Sequence, residues 1–189
     1  MKLAVIGCGG FIGSHLLDRL LCNASIEVIG WDPDVRKIEQ HLGNPRLLVH
    51  RHAMHEPGLE GTLRDTVTWA DAIVNLAAIC TPAVYNTEPL AVIRANFIDV
   101  YKLVELCTDH GKWLIHLSTS EIYGRTLASY LTCGRYDDPA LYELGEYETP
   151  LIMGPISNQR WSYACAKQLL ERFIYASHRE RGLEAHTAL

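Results

Sequence analysis

The chain has 189 residues, 48% of them hydrophobic and 21% charged, enough for one domain with its own core. Its formal net charge of −5 comes from 17 basic and 22 acidic residues with no lysine–arginine run, which argues against nucleic acid or a membrane surface as partner. No apolar stretch is long enough to span a bilayer. The six cysteines (Cys8, Cys22, Cys80, Cys107, Cys133, Cys165) include no CxxC pair, the usage expected of reduced thiols in a cytoplasmic protein.

Glycines interrupt the apolar run from Met1 to Ile12, unlike a signal peptide. Lys2 to Gly7 reads instead as a short buried strand, and Phe11 to Leu21 as a helix with Ile12, Leu16, Leu17, Leu20 and Leu21 inward. Between them lies Gly7-Cys8-Gly9-Gly10-Phe11-Ile12-Gly13, a GxxGxxG turn. Gly7 permits the tight turn, Gly10 lets a pyrophosphate approach the backbone, and Gly13 lets the helix pack close to the strand. Phe11 and Ile12 open the helix whose N-terminus faces the phosphates. A glycine turn between a strand and a helix is the context a dinucleotide requires.

Ile26 to Trp31 is the second strand and runs into Asp32. An acidic residue about 20 positions beyond the glycines accepts the ribose hydroxyls of NAD and opposes the extra phosphate of NADP. The plainer alternative makes Asp32 the N-cap of a following helix with Pro33 at its first position. Arg46 to His50 reads as the third strand. His50, His52 and His55 lie close together but lack an assured further ligand, so no metal is assigned.

Asp71 to Leu76 is the fourth strand, and Asn75-Leu76-Ala77-Ala78 leaves room for a flat cofactor at the carboxyl edge of a parallel sheet. Pro89 to His110 is a long helix, apolar at Leu90, Ile93, Phe97 and Tyr101. Trp113 to Leu117 is the fifth strand, and Glu184 to Leu189 begins a sixth. The alternation predicts an α/β fold with a doubly wound, Rossmann-type parallel sheet. Residues 1–189 form a single NAD-binding domain on this reading, with 125–160 as one long functional loop. After it, Ala166, Leu169, Leu170 and Phe173 recur at helical spacing, which puts Tyr163 and Lys167 one turn apart on one face. An ammonium beside a phenol favours the phenolate and pulls its pKa toward neutrality, giving a general base for an alcohol or sugar hydroxyl.

Ser118-Thr119-Ser120-Glu121-Ile122-Tyr123-Gly124 follows the fifth strand. Together with the glycine turn, Asn75-Leu76-Ala77-Ala78 and the Tyr163–Lys167 pair, it resembles the extended short-chain dehydrogenase/reductase family. The resemblance implies NAD as cofactor, held also by Leu76, Ala77, Ala78, Tyr163 and Lys167. It implies Thr119, Tyr163 and Lys167 as the catalytic triad. Within that family, Ala77-Ala78-Ile79-Cys80-Thr81-Pro82-Ala83-Val84-Tyr85-Asn86-Thr87 and Gln159-Arg160-Trp161-Ser162-Tyr163-Ala164-Cys165-Ala166-Lys167-Gln168-Leu169 are similar to UDP-apiose/UDP-xylose synthases. They are less closely similar to bacterial UDP-glucuronate decarboxylases of the aminoarabinose pathway. Ser120 matches the decarboxylases, and Cys80 matches the synthases.

The activity so implied is NAD-dependent oxidation and decarboxylation of UDP-glucuronate to UDP-apiose and UDP-xylose, with the cofactor recycled internally. One alternative releases a UDP-4-keto-pentose and NADH; another is an NAD-binding module without activity. Glu121, Ser120 and Cys80 are implied to manage protons, and Arg160 to meet the sugar carboxylate through its planar fork. Tyr85, Thr119 and Ser120 are implied to touch the nucleotide sugar, and the helices from Pro89 and Trp161 to form a homodimer. The plainer readings make Cys80 a core thiol, Glu121 a helix-end carboxylate and Tyr85 a surface aromatic. Members of this family are considerably longer, so the domain is expected to stop short of a carboxyl-terminal substrate domain.

Overall fold

The computed structural model of the chain describes residues 1–129, 137–146 and 149–188. Cys133 and Leu189 lie outside the described residues. Six strands, β1 (Lys2–Ile6), β2 (Glu27–Trp31), β3 (Leu47–His50), β4 (Ala72–Asn75), β5 (Trp113–Leu117) and β6 (Ala185–Ala188), form one sheet. All its pairings are parallel, in the order β3-β2-β1-β4-β5-β6. The expected doubly wound sheet is therefore present, including the sixth strand. Strands of such a sheet are covered on both faces and read as continuous apolar runs; Leu3, Ala4, Val5 and Ile6 are all buried. Leu3, Val5 and Val28 face one core with Leu17 and Leu21, and Ala4, Ile6 and Ile73 face the other.

The strand order reverses between β1 and β4, which pair Ile6 with Asn75 at their carboxyl ends. A doubly wound sheet opens its ligand crevice at that point.

The helices show where local phase departs from the sequence pattern. In α1 (Phe11–Leu21), Gly13, Ser14, Leu17 and Leu21 are buried, whereas Ile12, expected inward, is exposed. The helix starts from Gly10, and the resulting phase turns Gly13 rather than Ile12 toward the sheet. A six-residue 3₁₀ turn, Arg36–His41, stands where a helix after Pro33 was expected, and Val35 is its N-cap. Asp32 is therefore not a helix cap. Helix α2 (Glu60–Trp69) escapes the periodicity argument because its sequence is polar and only Leu63, Thr66 and Val67 are buried.

The predicted Pro89–His110 helix is present but interrupted. Following the short α3 (Pro82–Tyr85), α4 (Pro89–Ile93) and α5 (Asp99–Asp109) flank a π-helical turn, Arg94–Ile98. Within that turn, Asn96 Nδ2 donates to the Val92 carbonyl at 2.9 Å and to the Ile79 carbonyl at 3.0 Å. Asn96 thereby ties the helix to the loop that follows β4. Helix α6 (Ser162–Arg181) ends at Gly182, whose left-handed φ of 73° lets its N–H reach back to the last turn. No helix among the described residues is long and apolar enough to cross a membrane.

Candidate functional site

The cofactor side begins at the exit of β1. Gly7 has φ +84°, and a Cβ there would sit 2.8 Å from the backbone nitrogen of Ala77. A Cβ on Gly13 would overlap the Gly7 carbonyl oxygen. These two glycines thus let α1 close on β1 and let the turn lie against the exit of β4. Asp32 Oδ2 accepts from the Gly9 N–H at 2.9 Å, and Oδ1 accepts from the Asp34 N–H at 2.9 Å. The carboxylate is pinned beside the glycine turn by two backbone donors. Gly9 was passed over by the motif argument, yet a side chain there would overlap the Asp34 carbonyl.

A cavity of about 310 Å³ opens beside these residues, lined by Gly7, Gly10, Asp32, Leu76, Ala77 and Ala78 among others. Bare backbone at the glycines, small side chains at the exit of β4 and an anchored carboxylate fit a dinucleotide lying across the sheet edge. Phe11 and Ile12 are exposed in the first turn of α1. The neighbouring histidines have local partners: His52 Nδ1 lies 2.8 Å from Glu56 and His55 Nδ1 3.2 Å from the buried Asp99. Among the described residues no group of three or more His, Cys, Asp or Glu is placed to hold a metal.

The reacting side lies at the exit of β5 and the start of α6. Thr119 Oγ1 accepts from the Glu121 N–H at 3.2 Å and so starts the 3₁₀ turn Ser120–Tyr123. Gln168 Nε2 donates to the Ile122 carbonyl at 3.2 Å, fastening that turn to α6. Asn158 Oδ1 accepts from the Arg160 N–H at 3.1 Å, fixing the approach to the helix. The structure thereby brings Thr119, Glu121, Arg160, Tyr163 and Tyr85 together. Arg160 Nη1 donates to Glu121 Oε2 at 2.7 Å, and its guanidinium carbon lies 5.3 Å from the Tyr85 ring centre. Tyr85 is fully buried, not a surface aromatic, and stacks on Tyr163 with ring centres 5.0 Å apart. Cys80 is exposed rather than a core thiol. It stands close enough to Tyr85, Tyr163 and Lys167 to act on each of them. Ser120 stands in the 3₁₀ turn between Thr119 and Glu121.

The Tyr163 phenol is not lowered as its helical spacing from Lys167 predicts. The Tyr163 phenol is pushed above its ordinary value, first by burial and then by Cys80, with a hydrogen bond to Thr119 acting the other way and Glu121 raising it further. Lys167 does not override these effects. Its Nζ is turned toward β5, donating to the Leu117 carbonyl at 2.8 Å with His116 Nε2 at 3.5 Å. Burial also lowers Lys167 itself to about 8, while Cys80 and Glu171 pull the other way. At about 8 Lys167 still carries its proton at neutral pH, and its ammonium is directed at the Leu117 carbonyl.

Sequence reasoning also missed His116, Asn75 as a hydrogen-bonding side chain, and the Ser118–Glu171 hydrogen bond. A histidine in the middle of the apolar run Trp113–Leu117 was the available signal.

Comparison with known proteins gives a consistent result. The chain is 47% identical over 194 aligned residues to UDP-D-apiose/UDP-D-xylose synthase 1 of Arabidopsis thaliana, covering 97% of this chain and 49% of that protein. It therefore spans about half the length of the curated relatives it matches. Among solved structures, the PbgP3 protein from Burkholderia pseudomallei superposes with a TM-score of 0.83 at 31% identity, covering 98% of this chain and 51% of that one. UDP-glucuronic acid 4-epimerase from Bacillus cereus, in complex with UDP-glucuronic acid and NAD, gives 0.73 at 25% identity, with 99% and 55% covered. One family model matches residues 3–188, nearly the whole chain. By that match, on a parallel sheet with a glycine turn at its switch point, the chain belongs to the NAD dependent epimerase/dehydratase family.

Proposed function

We propose that this chain is the NAD-binding part of an enzyme that oxidises and decarboxylates UDP-glucuronate to UDP-apiose and UDP-xylose. The observation that carries the reading is the grouping of Arg160, Glu121, Tyr85 and Tyr163 at one corner of the sheet edge. It combines a carboxylate-binding fork with a hydroxyl-directed phenol, and the similarity to the Arabidopsis synthase supports the choice of substrate. The glycine turn, Asp32 and Ala77-Ala78 hold NAD; when bound, NAD supplies the acceptor for the hydride lost from the sugar C4 and returns it to the product.

Tyr163, once its own phenolic proton has passed to solvent, takes the proton of the sugar 4-hydroxyl as a phenolate, and Thr119 shares that oxygen through its hydrogen bond with Tyr163. Arg160 receives the sugar carboxylate, which must displace Glu121 from the guanidinium. Oxidation at C4 leaves a ketone β to the carboxylate, so carbon dioxide departs as the enolate forms. On this reading Glu121, once released from Arg160, relays a proton from solvent to the enolate, with Ser120 and Cys80 assisting. The described residues of 125–160, of which 130–136 and 147–148 lie outside, are assigned to the substrate side on this reading.

The test is to supply UDP-glucuronate and NAD and to follow carbon dioxide and NADH together. Residues 1–189 assayed by themselves should release carbon dioxide slowly, because remote binding energy raises the rate of the chemical step and these residues span about half the length of the Arabidopsis relative. NADH should not accumulate, and Tyr163→Phe should cut the rate by roughly 10²–10⁴-fold. One NADH per carbon dioxide would replace this reading with the 4-keto-pentose decarboxylase. Tight NAD binding with no carbon dioxide would leave a binding module.

The same reading makes the protein a homodimer through α4, α5 and α6. Leu90, Tyr101, Leu169 and Tyr175 all lie exposed on these helices, an apolar surface of the kind that marks an interface. Light scattering should find two chains per particle; a strictly monomeric species at high concentration would refute the interface.

A further inference from the structure

The cavity beside the glycine turn has two ends. Thr119 and Tyr163 mark the reacting side, past β4 at the exit of β5, so the nicotinamide of a dinucleotide lies that way and its adenosine the other. Asp32 leaves β2, and β3 borders the sheet beyond it. The base joined to the ribose at Asp32 is then enclosed by the rest of the cavity wall. That wall is Pro33, His52, Met54 and His55 from the exits of β2 and β3, and Ala95 and Asp99 from the long helix. Glu56 fixes the loop after β3, accepting from the Ala53 N–H at 2.7 Å and lying 2.8 Å from His52 Nδ1. Met54 is buried in that loop, and a thioether packs well against a flat ring.

Asp99 departs from the pattern of its helix. Val100, Leu103, Val104 and Cys107 give α5 a buried apolar face, yet the Asp99 side chain is buried as well, only 3% exposed. The helix does not need the carboxylate as a cap. It continues directly from the π turn, and the Asp99 N–H already donates to the Arg94 carbonyl. Asp99 Oδ2 has no hydrogen-bond partner among the described residues. His55 Nδ1 stands 3.2 Å from it, within ion-pair distance but without the direction of a hydrogen bond. Burial raises the Asp99 carboxyl above its ordinary value, while His55, Arg94 and Lys102 act the other way and favour the charge. A buried acceptor left unmet is costly, and this one calls for a donor from outside the chain.

An ionised carboxylate only accepts, and the exocyclic 6-amino group is the donor on the ring edge of adenine. We propose that Asp99 is a specificity-determining residue for the cofactor's base: its carboxylate accepts from the adenine 6-amino group, so the cavity takes adenine and rejects a 6-oxo purine. The proposal rests on the NAD site described above. Asp32 and Asp99 then read different parts of one adenosine, the sugar hydroxyls and the base, and His55 braces the second carboxylate from the β3 loop.

Calorimetry with NAD and with nicotinamide hypoxanthine dinucleotide, which carries an oxo group in place of the 6-amino group, tests this without turnover. The native chain should bind NAD roughly 10–100-fold more tightly, because the oxo group sets an acceptor against the carboxylate. Asp99→Asn keeps the shape and adds an NH₂ that donates to the oxo group, so the two affinities should converge. Asp99→Ala should also bring them together, by weakening NAD. A side chain that only packed would leave the native ratio unchanged in both variants, and that result would overturn the proposal. Equal affinities in the native chain would overturn it too. If neither variant folds by circular dichroism, the native ratio alone decides. No binding of either dinucleotide would strike the NAD site itself, and the proposal with it.

Discussion

Acidification from pH 7 toward pH 4 should destabilise this chain sharply, and His116 should account for much of the loss. Its imidazole is fully buried between β4 and α6, and burial, with the Lys167 charge adding to it, holds its pKa at about 3 against 6.5 for an exposed ring. The folded state therefore binds fewer protons than the unfolded chain between those two values. A group depressed in this way contributes its stability fully above 6.5 and loses it as pH falls toward 3. The complete effect is roughly 5 kcal/mol, a large share of the 5–15 kcal/mol typical of a domain. Asp99 and Glu171 act in the opposite direction, since burial raises both and each gains favour as it takes up a proton. Urea unfolding at pH 7 and pH 4 isolates the histidine by comparison with His116→Phe. The variant should be weaker at pH 7, because Asn75 loses its acceptor, but should lose less between the two pH values. Equal losses in the two proteins would show that His116 takes up no proton on unfolding.

Asp32→Ala should weaken NAD binding by roughly 10–100-fold, the equivalent of losing one charge-assisted hydrogen bond, and should narrow the preference over NADP. The native carboxylate is fixed by the Gly9 and Asp34 N–H groups at the edge of the glycine turn. On the proposed reading it accepts from a ribose hydroxyl and repels a phosphate ester on the same oxygen. Alanine removes both effects and frees the two backbone donors. Asp32→Asn separates them, because the amide oxygen still accepts from one backbone donor while the charge is gone. Both variants should bind NADP better relative to NAD than the native chain does. A preference unchanged in Asp32→Ala, measured by calorimetry, would place the discrimination elsewhere.

The parts of this fold that the sequence made legible are those where one physical demand dominates. Parallel strands covered on both faces appear as apolar runs, and the glycine turn is legible because Gly7 and Gly13 have no room for a side chain. Helix α2 was not legible, since only three of its ten residues are buried. The π turn in the long helix was also hidden, because Asn96 is set by a carbonyl on a separate loop. At the candidate site, motif spacing named the residues but not their pairings. The Glu121–Arg160 ion pair joins positions 39 residues apart, and the direction of Lys167 depends on a strand carbonyl 50 residues away. Helical spacing alone placed that ammonium beside a phenol; burial and β5 decided where it points and how firmly it holds its proton.

If residues at the carboxyl edge of this sheet form an NAD site, Asp32 sets the choice of cofactor. Calorimetric titration of the native chain with NAD and, separately, with NADP tests it most directly. NAD should bind saturably and NADP much more weakly. Equal affinity for the two cofactors, or no heat with either one, would contradict it.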